Sequence, residues 1–222
     1  MSFATAKQPL LGAPPARSLL RSPKGLATAL TVLLGLCAAT RLLAVAAGLN
    51  RYRALDSFAE FMGLGRSMTW VTMATSLVML AMLPTAVVFI IWFHRVRVNA
   101  GVYAQGKFRG GAGWAIGVWF IPALGWTVLP CMIAQKVWAT TASRLPGKAA
   151  LASPAPVFAW AGAFAAAMLV SLGAGRFAAG ATTQSAVREA VLLAAASDLL
   201  YAVAAGLAVL FVRRLSAMQS GV

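Results

Sequence analysis

Two groups of residues in this chain have the types and the spacing to do more than fill space. Arg41 and Asp198 each sit inside a long apolar run. An ionisable group at such a depth usually pairs with another or lines a polar path. The second group is Arg95, Arg97, Asn99, Lys107 and Arg109, followed by Trp114 and Trp119. Cations beside tryptophans suit a lipid headgroup or another phosphate-bearing ligand at the membrane interface. The plainer reading of the same residues is a set of positively charged anchors that orient the neighbouring helices. His94 stands without a nearby carboxylate or thiol, so it makes a poor metal ligand, and neither a metal nor a cofactor is implied. The chain has no His-Glu-x-x-His, no Gly-x-Ser-x-Gly and no Walker loop. Only four acids occur in 222 residues, which leaves little for general acid-base chemistry. The expectation is a protein that is not an enzyme.

The elements that must hold these residues are apolar. Hydrophobic residues make up 61% and charged residues 10%, far from the roughly 25% charged of a soluble domain. A net charge of +15 in such a chain acts as an orientation signal and attracts anionic headgroups. A nucleic-acid partner would need an exposed basic face on a soluble fold, and none is visible. Residues 1–24 read as a disordered basic cytoplasmic tail, with four prolines and no acid. Four spans follow, at about 26–49, 69–93, 155–177 and 190–212, inside a membrane domain of residues 25–217. Ala44, Val45 and Ala46 would suit a signal-peptide cleavage site, but the basic region is long and Arg41 stands just before it, which favours a retained first span. Pro84 predicts a bend in the second span. Trp70 and Trp92 fall at its two ends, where an aromatic belt would lie.

Residues 112–138 decide the topology, being apolar enough to count as a further span. With four crossings and a cytoplasmic N-terminus, 13 Lys and Arg fall inside and 5 outside; a fifth crossing would make this 10 and 8. The bias of positive residues toward the cytoplasm selects four. Pro122 and Pro130 also divide the run into pieces shorter than a crossing helix needs. The stretch therefore reads as a cytoplasmic helical hairpin, re-entrant or interfacial, broken near Pro122 to Gly125. Trp114, Trp119 and Trp138 are expected at headgroup depth.

Arg41 lies eight residues before the outer end of the first span at Leu49, and Asp198 eight residues into the last from Ala190. The two charges thus share a depth, and an intramembrane ion pair is expected if the first and last helices are neighbours. Asp198, Ala202 and Gly206 fall on one helix face, a small-residue stripe expected to be buried against another helix. Gly162 and Ala166 make a similar step on the third span.

The central residues resemble the signature of an uncharacterised bacterial membrane family, the domain of unknown function 4328. Trp92-Phe93-His94-Arg95 with Asn99 matches the family's Trp-Leu-x-Arg-x-x-x-Asn. Gly113-Trp114-Ala115, Gly117 and Trp119-Phe120-Ile121-Pro122 match its Gly-Trp-Ala-x-Gly-x-Trp-Phe-x-Pro. Where the family then has Asn, Pro-Tyr and Glu-x-Trp, this chain has Gly125, Pro130-Cys131 and Lys136-Val137-Trp138. The resemblance implies the four-helix layout and brings no activity with it.

Together these readings describe an all-α integral protein of the bacterial plasma membrane. It has four transmembrane helices, both termini in the cytoplasm, and a Trp-rich hairpin between helices 2 and 3. The hairpin is expected to bind anionic lipid headgroups or a membrane partner, including a second copy of the chain. The alternative is a small transporter or channel subunit with Arg41 and Asp198 in a polar path.

Overall fold

The computed structural model describes residues 20–55, 64–104, 106–108, 110–122, 125–145, 147 and 152–220. Among them the regular elements are all helical. α1 runs Lys24–Ala54, α2 Leu64–Tyr103, α3 Trp114–Gly117 with a 3₁₀ turn Val118–Phe120 after it, α4 Val128–Ala142, α5 Ala155–Gly180 and α6 Gln184–Ser220. Four of these, α1, α2, α5 and α6, are long and apolar enough to cross a membrane. Residues 112–138 do not form a fifth such helix.

The long helices pack as a row. α1 lies between α2 and α6, and α5 lies against the other side of α6. Because α1 and α6 both carry many small residues, their backbones can approach closely, and Ala27, Ala47, Ala190, Ala195, Ala204 and Ala208 are buried. Large apolar side chains turn outward instead, including Val32, Leu80, Leu83 and Leu169. An apolar exterior over helices of this length is what contact with lipid requires.

All four long helices exceed the expected spans, α2 and α6 by the most. α2 continues ten residues past Phe93, and α6 continues eight past Val212. At ~1.5 Å per residue, the 40 residues of α2 reach about 60 Å, twice a hydrocarbon core. The reason is local: no proline interrupts either extension, and the chain between α2 and α5 packs against both.

That chain is broken at Pro122 and Gly125, and Pro130 falls in the first turn of the helix that follows. α3 and its 3₁₀ turn end at Phe120, Ile121 is extended with φ −87° and ψ 116°, and α4 starts at Val128. The Gly125 N–H donates to the Ile121 carbonyl at 3.0 Å, and a Cβ at Gly125 would collide with the carbonyl oxygens of Val118 and Ile121. Only a residue without a side chain fits this return turn.

Several sequence expectations need correction. Trp92 and Trp138 are buried among the helices rather than facing outward as interfacial anchors. Gly206 is exposed, and so are Gly162 and Ala166; a Cβ on Gly206 or Gly162 would meet nothing within 4 Å. The buried stripe of α6 is instead the one through Ala204, Ala205 and Ala208. The error came from taking one deep charge as the marker of the whole helix face.

Replacing Gly125 with alanine should therefore cost about 1–3 kcal/mol, the scale of forcing extra atoms into a filled site. A fall in the thermal unfolding midpoint in detergent would show it; an unchanged midpoint would mean that the turn relaxes freely.

Candidate functional site

The end of the molecule that carries the broken hairpin, here called the hairpin end, is built around aromatic rings. Phe89, Trp92 and Phe93 project from α2, Trp119 from the 3₁₀ turn, Trp138 from α4, Trp160 from α5 and Phe211 from α6. Trp119 meets Phe89 and Phe93 edge-on at 5.4 and 5.7 Å between ring centroids. Phe211 stacks on Trp160 at 5.3 Å and takes the edge of Trp92 at 5.4 Å. Edge-on and offset pairs of this kind contribute about 0.5–1.5 kcal/mol each beyond their burial. The indole N–H groups are mostly used. Trp92 Nε1 donates to Ser216 Oγ at 2.9 Å and Trp138 Nε1 to the Ala152 carbonyl at 2.9 Å. Trp119 Nε1 is buried without a partner among the described residues.

Nearer the ends of the helices the packing turns polar. Asn99, 2% exposed, faces Gln219, 6% exposed. Asn99 Nδ2 donates to the Arg21 carbonyl at 2.9 Å and to Gln219 Oε1 at 3.0 Å, while the Arg21 N–H donates to Asn99 Oδ1 at 3.2 Å. Gln219 Nε2 donates to the Val96 carbonyl at 3.0 Å and Thr141 Oγ1 at 3.2 Å. Tyr103 donates its hydroxyl to the Gln219 carbonyl. Both amides have then spent both donor hydrogens. The node joins four pieces of chain: the segment before α1, α2, α4 and the end of α6.

The linker residues therefore do not converge on one ligand. Arg97 is 7% exposed, lies 3.6 Å over the Phe108 ring and donates to the Gly110 carbonyl at 2.9 Å. It holds the loop that leads into α3. Gly101 leaves room for this, since a Cβ there would come within 3.2 Å of Arg97 Nη1. Asn99 is spent as described, and Trp119 is a packing residue. Arg95 is half-buried, Lys107 and Trp114 face outward, and Arg109 lies outside the described residues. Sequence reasoning missed Arg21, Thr141, Trp160, Phe211, Ser216 and Gln219. Only Trp160 and Phe211 carried any signal, as bulky rings near the hairpin-end termini of their helices.

The second group does come together. Arg41 Nη1 lies 2.6 Å from Asp198 Oδ1, with the side chains 18% and 19% exposed. The Arg41 guanidinium also covers the Tyr201 ring at 4.2 Å, and Tyr201 meets Phe164 edge-on at 5.8 Å. A chain of contacts thus crosses from α1 through α6 to α5. Among the described residues no group of three His, Cys, Asp or Glu could hold a metal.

Among proteins of known families, a family profile described as a domain of unknown function matches residues 56–217. Neither a curated protein nor a solved structure matches the chain. The matched segment contains the aromatic residues and Asn99 but neither Arg21 nor Gln219, the two hydrogen-bond partners of Asn99. It also leaves out α1, and with it Arg41.

A double-mutant cycle of Arg41→Met and Asp198→Asn should show that the single changes cost more than the pair. The expected coupling is about 1–3 kcal/mol, because each single change strands a partly buried charge or amide. Additive effects on unfolding in detergent would remove the pair from the interactions that hold α1 to α6.

Proposed function

The chain belongs to the domain of unknown function 4328 family, and we propose that it is a non-enzymatic multi-pass protein of the bacterial plasma membrane. In this reading a re-entrant hairpin binds anionic lipid headgroups on the cytoplasmic side. The observation that carries the reading is the graded surface of the hairpin. Its exposed large apolar side chains run from Trp114 and Ile116 through Phe120 to Trp126, Val128 and Met132 on either side of the break. Its exposed polar ones gather at the base, at Lys107, Lys136, Ser143 and Arg144.

Depth supports the same arrangement. The loop at Gly110 touches α2 at Arg97, while Trp119 touches it at Phe93 and Phe89. Four to eight residues of helix separate these levels, about 6–12 Å along the axis. Descending from the Arg97 level to the Phe89 level carries the chain toward the middle of the apolar span. A broken backbone is tolerated at that depth when protein shields it, and the aromatic rings do so. The charge pattern gives the orientation. Of the four acids, those at positions 56 and 60 fall in the sequence between α1 and α2, Glu189 falls in the first turns of α6, and Asp198 pairs with Arg41. Both termini and the hairpin base then belong on the cytoplasmic side, facing anionic headgroups.

Arg41 and Asp198 fit a structural clamp better than a transport path. The two charges neutralise each other at 2.6 Å and Tyr201 covers the guanidinium.

Two measurements test this. Reporters fused after Leu151 and after Val222 should both report cytoplasm, and a periplasmic C-terminus would sink the four-crossing reading. A spin label on Phe120→Cys in lipid bilayers should be accessible to oxygen and shielded from a water-soluble relaxation agent. Full access to the aqueous agent would place the tip outside the membrane and leave an interfacial hairpin at most.

A further inference from the structure

The proposed headgroup reading leaves open which cations do the binding, and the arginines of the linker are poor candidates. Arg97 is occupied by Phe108 and Gly110, and Arg144 donates to the Tyr103 carbonyl. A groove of ≈ 380 Å³ opens instead beside the polar node, lined by Arg21, Ser22, Lys24, Asn99, Gln219 and Ser220. Arg21 and Lys24 are exposed, and among the described residues neither has an ion-pair partner. Among the described residues no acidic side chain pairs with either cation at this end.

The position of the two cations is built rather than incidental. Asn99 grips the backbone of Arg21 at both its N–H and its carbonyl, in the way one strand pairs with another. This grip reads no side chain, so it fixes where residue 21 lies and leaves its guanidinium free. Gln219 holds Asn99 in place, and is itself held by Val96 and Thr141. A buried, fully bonded pair of amides therefore sets the wall of a groove whose rim carries two unpaired cations.

We propose that the segment Leu20–Lys24, docked on Asn99, forms with the ends of α2 and α6 a site for a phosphate-bearing anion. Arg21 and Lys24 supply the charge, and Asn99 is a positioning residue. This rests on the headgroup reading and adds to the hairpin base a second set of cations, those of the strap before α1. Lipid headgroup phosphate and free phosphate share the chemistry.

The test uses the full chain in uncharged detergent, with phosphatidylglycerol and phosphatidylcholine as probes and bound lipid counted by native mass spectrometry. The wild type should prefer phosphatidylglycerol. Arg21→Ala with Lys24→Ala should weaken that preference by about tenfold or more, as expected for two cations removed near a headgroup. Asn99→Ala should weaken it too while both cations remain, at an unfolding midpoint that shows the protein still folded. Arg53→Ala with Arg66→Ala, two exposed cations outside both the groove and the hairpin, should leave it within about twofold, a loss smaller than one surface cation contributes, while Lys107→Ala with Lys136→Ala reads the share of the hairpin base. Displacement of bound phosphatidylglycerol by millimolar inorganic phosphate would assign the groove to the free anion; resistance to displacement would assign it to the lipid. If the preference survives the strap variant and falls with the Lys107 and Lys136 pair, the groove is refuted while the hairpin reading stands. A wild type without preference that also binds no inorganic phosphate refutes both.

Discussion

In the re-entrant reading proposed above, a broken backbone inside an apolar layer must be shielded from it, and this constraint organises the hairpin end. At Ile121 and Pro122 and again from Gly125 to Thr127 the chain is not helical, so these peptide groups lack the internal ladder that makes a spanning helix tolerable in lipid. Rings solve the problem because they offer a large apolar area at a small conformational cost. Trp119, Phe89 and Phe93 form one side of the pile, and Trp160, Phe211 and Trp138 the other. The same requirement explains the lengths of α2 and α6. A hairpin needs walls to lean on, and the helical extensions to Tyr103 and Ser220 supply them.

The sequence was legible where a residue type has only one physical use. Long apolar runs became the four long helices, and Pro122 with Gly125 became a break, while Pro130 falls in the first turn of α4. Two lone charges at matching depth became a pair at 2.6 Å. It was illegible where one residue type has several uses. Tryptophan near a helix end serves either as an interfacial anchor or as a core ring, and Trp92 and Trp138 proved to be core while Trp70 and Trp114 are exposed. Arginine in a basic linker serves either a ligand or a loop, and Arg97 serves the loop. Gln219 carried no signal at all, since a glutamine near a helix end is ordinary until its partner Asn99, 120 residues earlier, is seen beside it.

Burial also separates the two kinds of charge in this protein. Arg41 and Asp198 neutralise each other, which makes the pair worth little as an attractor of anything else. Among the described residues the hairpin end has cations and no acidic side chain to meet them. Removing water from such a surface without supplying counter-charge would be costly, so its cations stay on the rim, as Arg21, Lys24 and Lys107 do. Where a cation is buried, as Arg97 is, it lies on a ring face and a carbonyl that offset part of the lost hydration.

The position of α1 gives the strongest argument about what the functional unit is. The family match begins at residue 56, yet α1 lies between α2 and α6, and without it those helices would lose their shared neighbour. It contributes Leu30 and Leu34 to the core at the hairpin end and Arg41 to the ion pair. Asn99, which belongs to the matched segment, uses its amide on Arg21, which does not. Backbone recognition requires no particular side chain at position 21, so the contact can persist while the sequence before α1 drifts. A profile built on side-chain identity has nothing to register in such a contact, even though hydrogen bonds from inside the matched segment hold the strap in place.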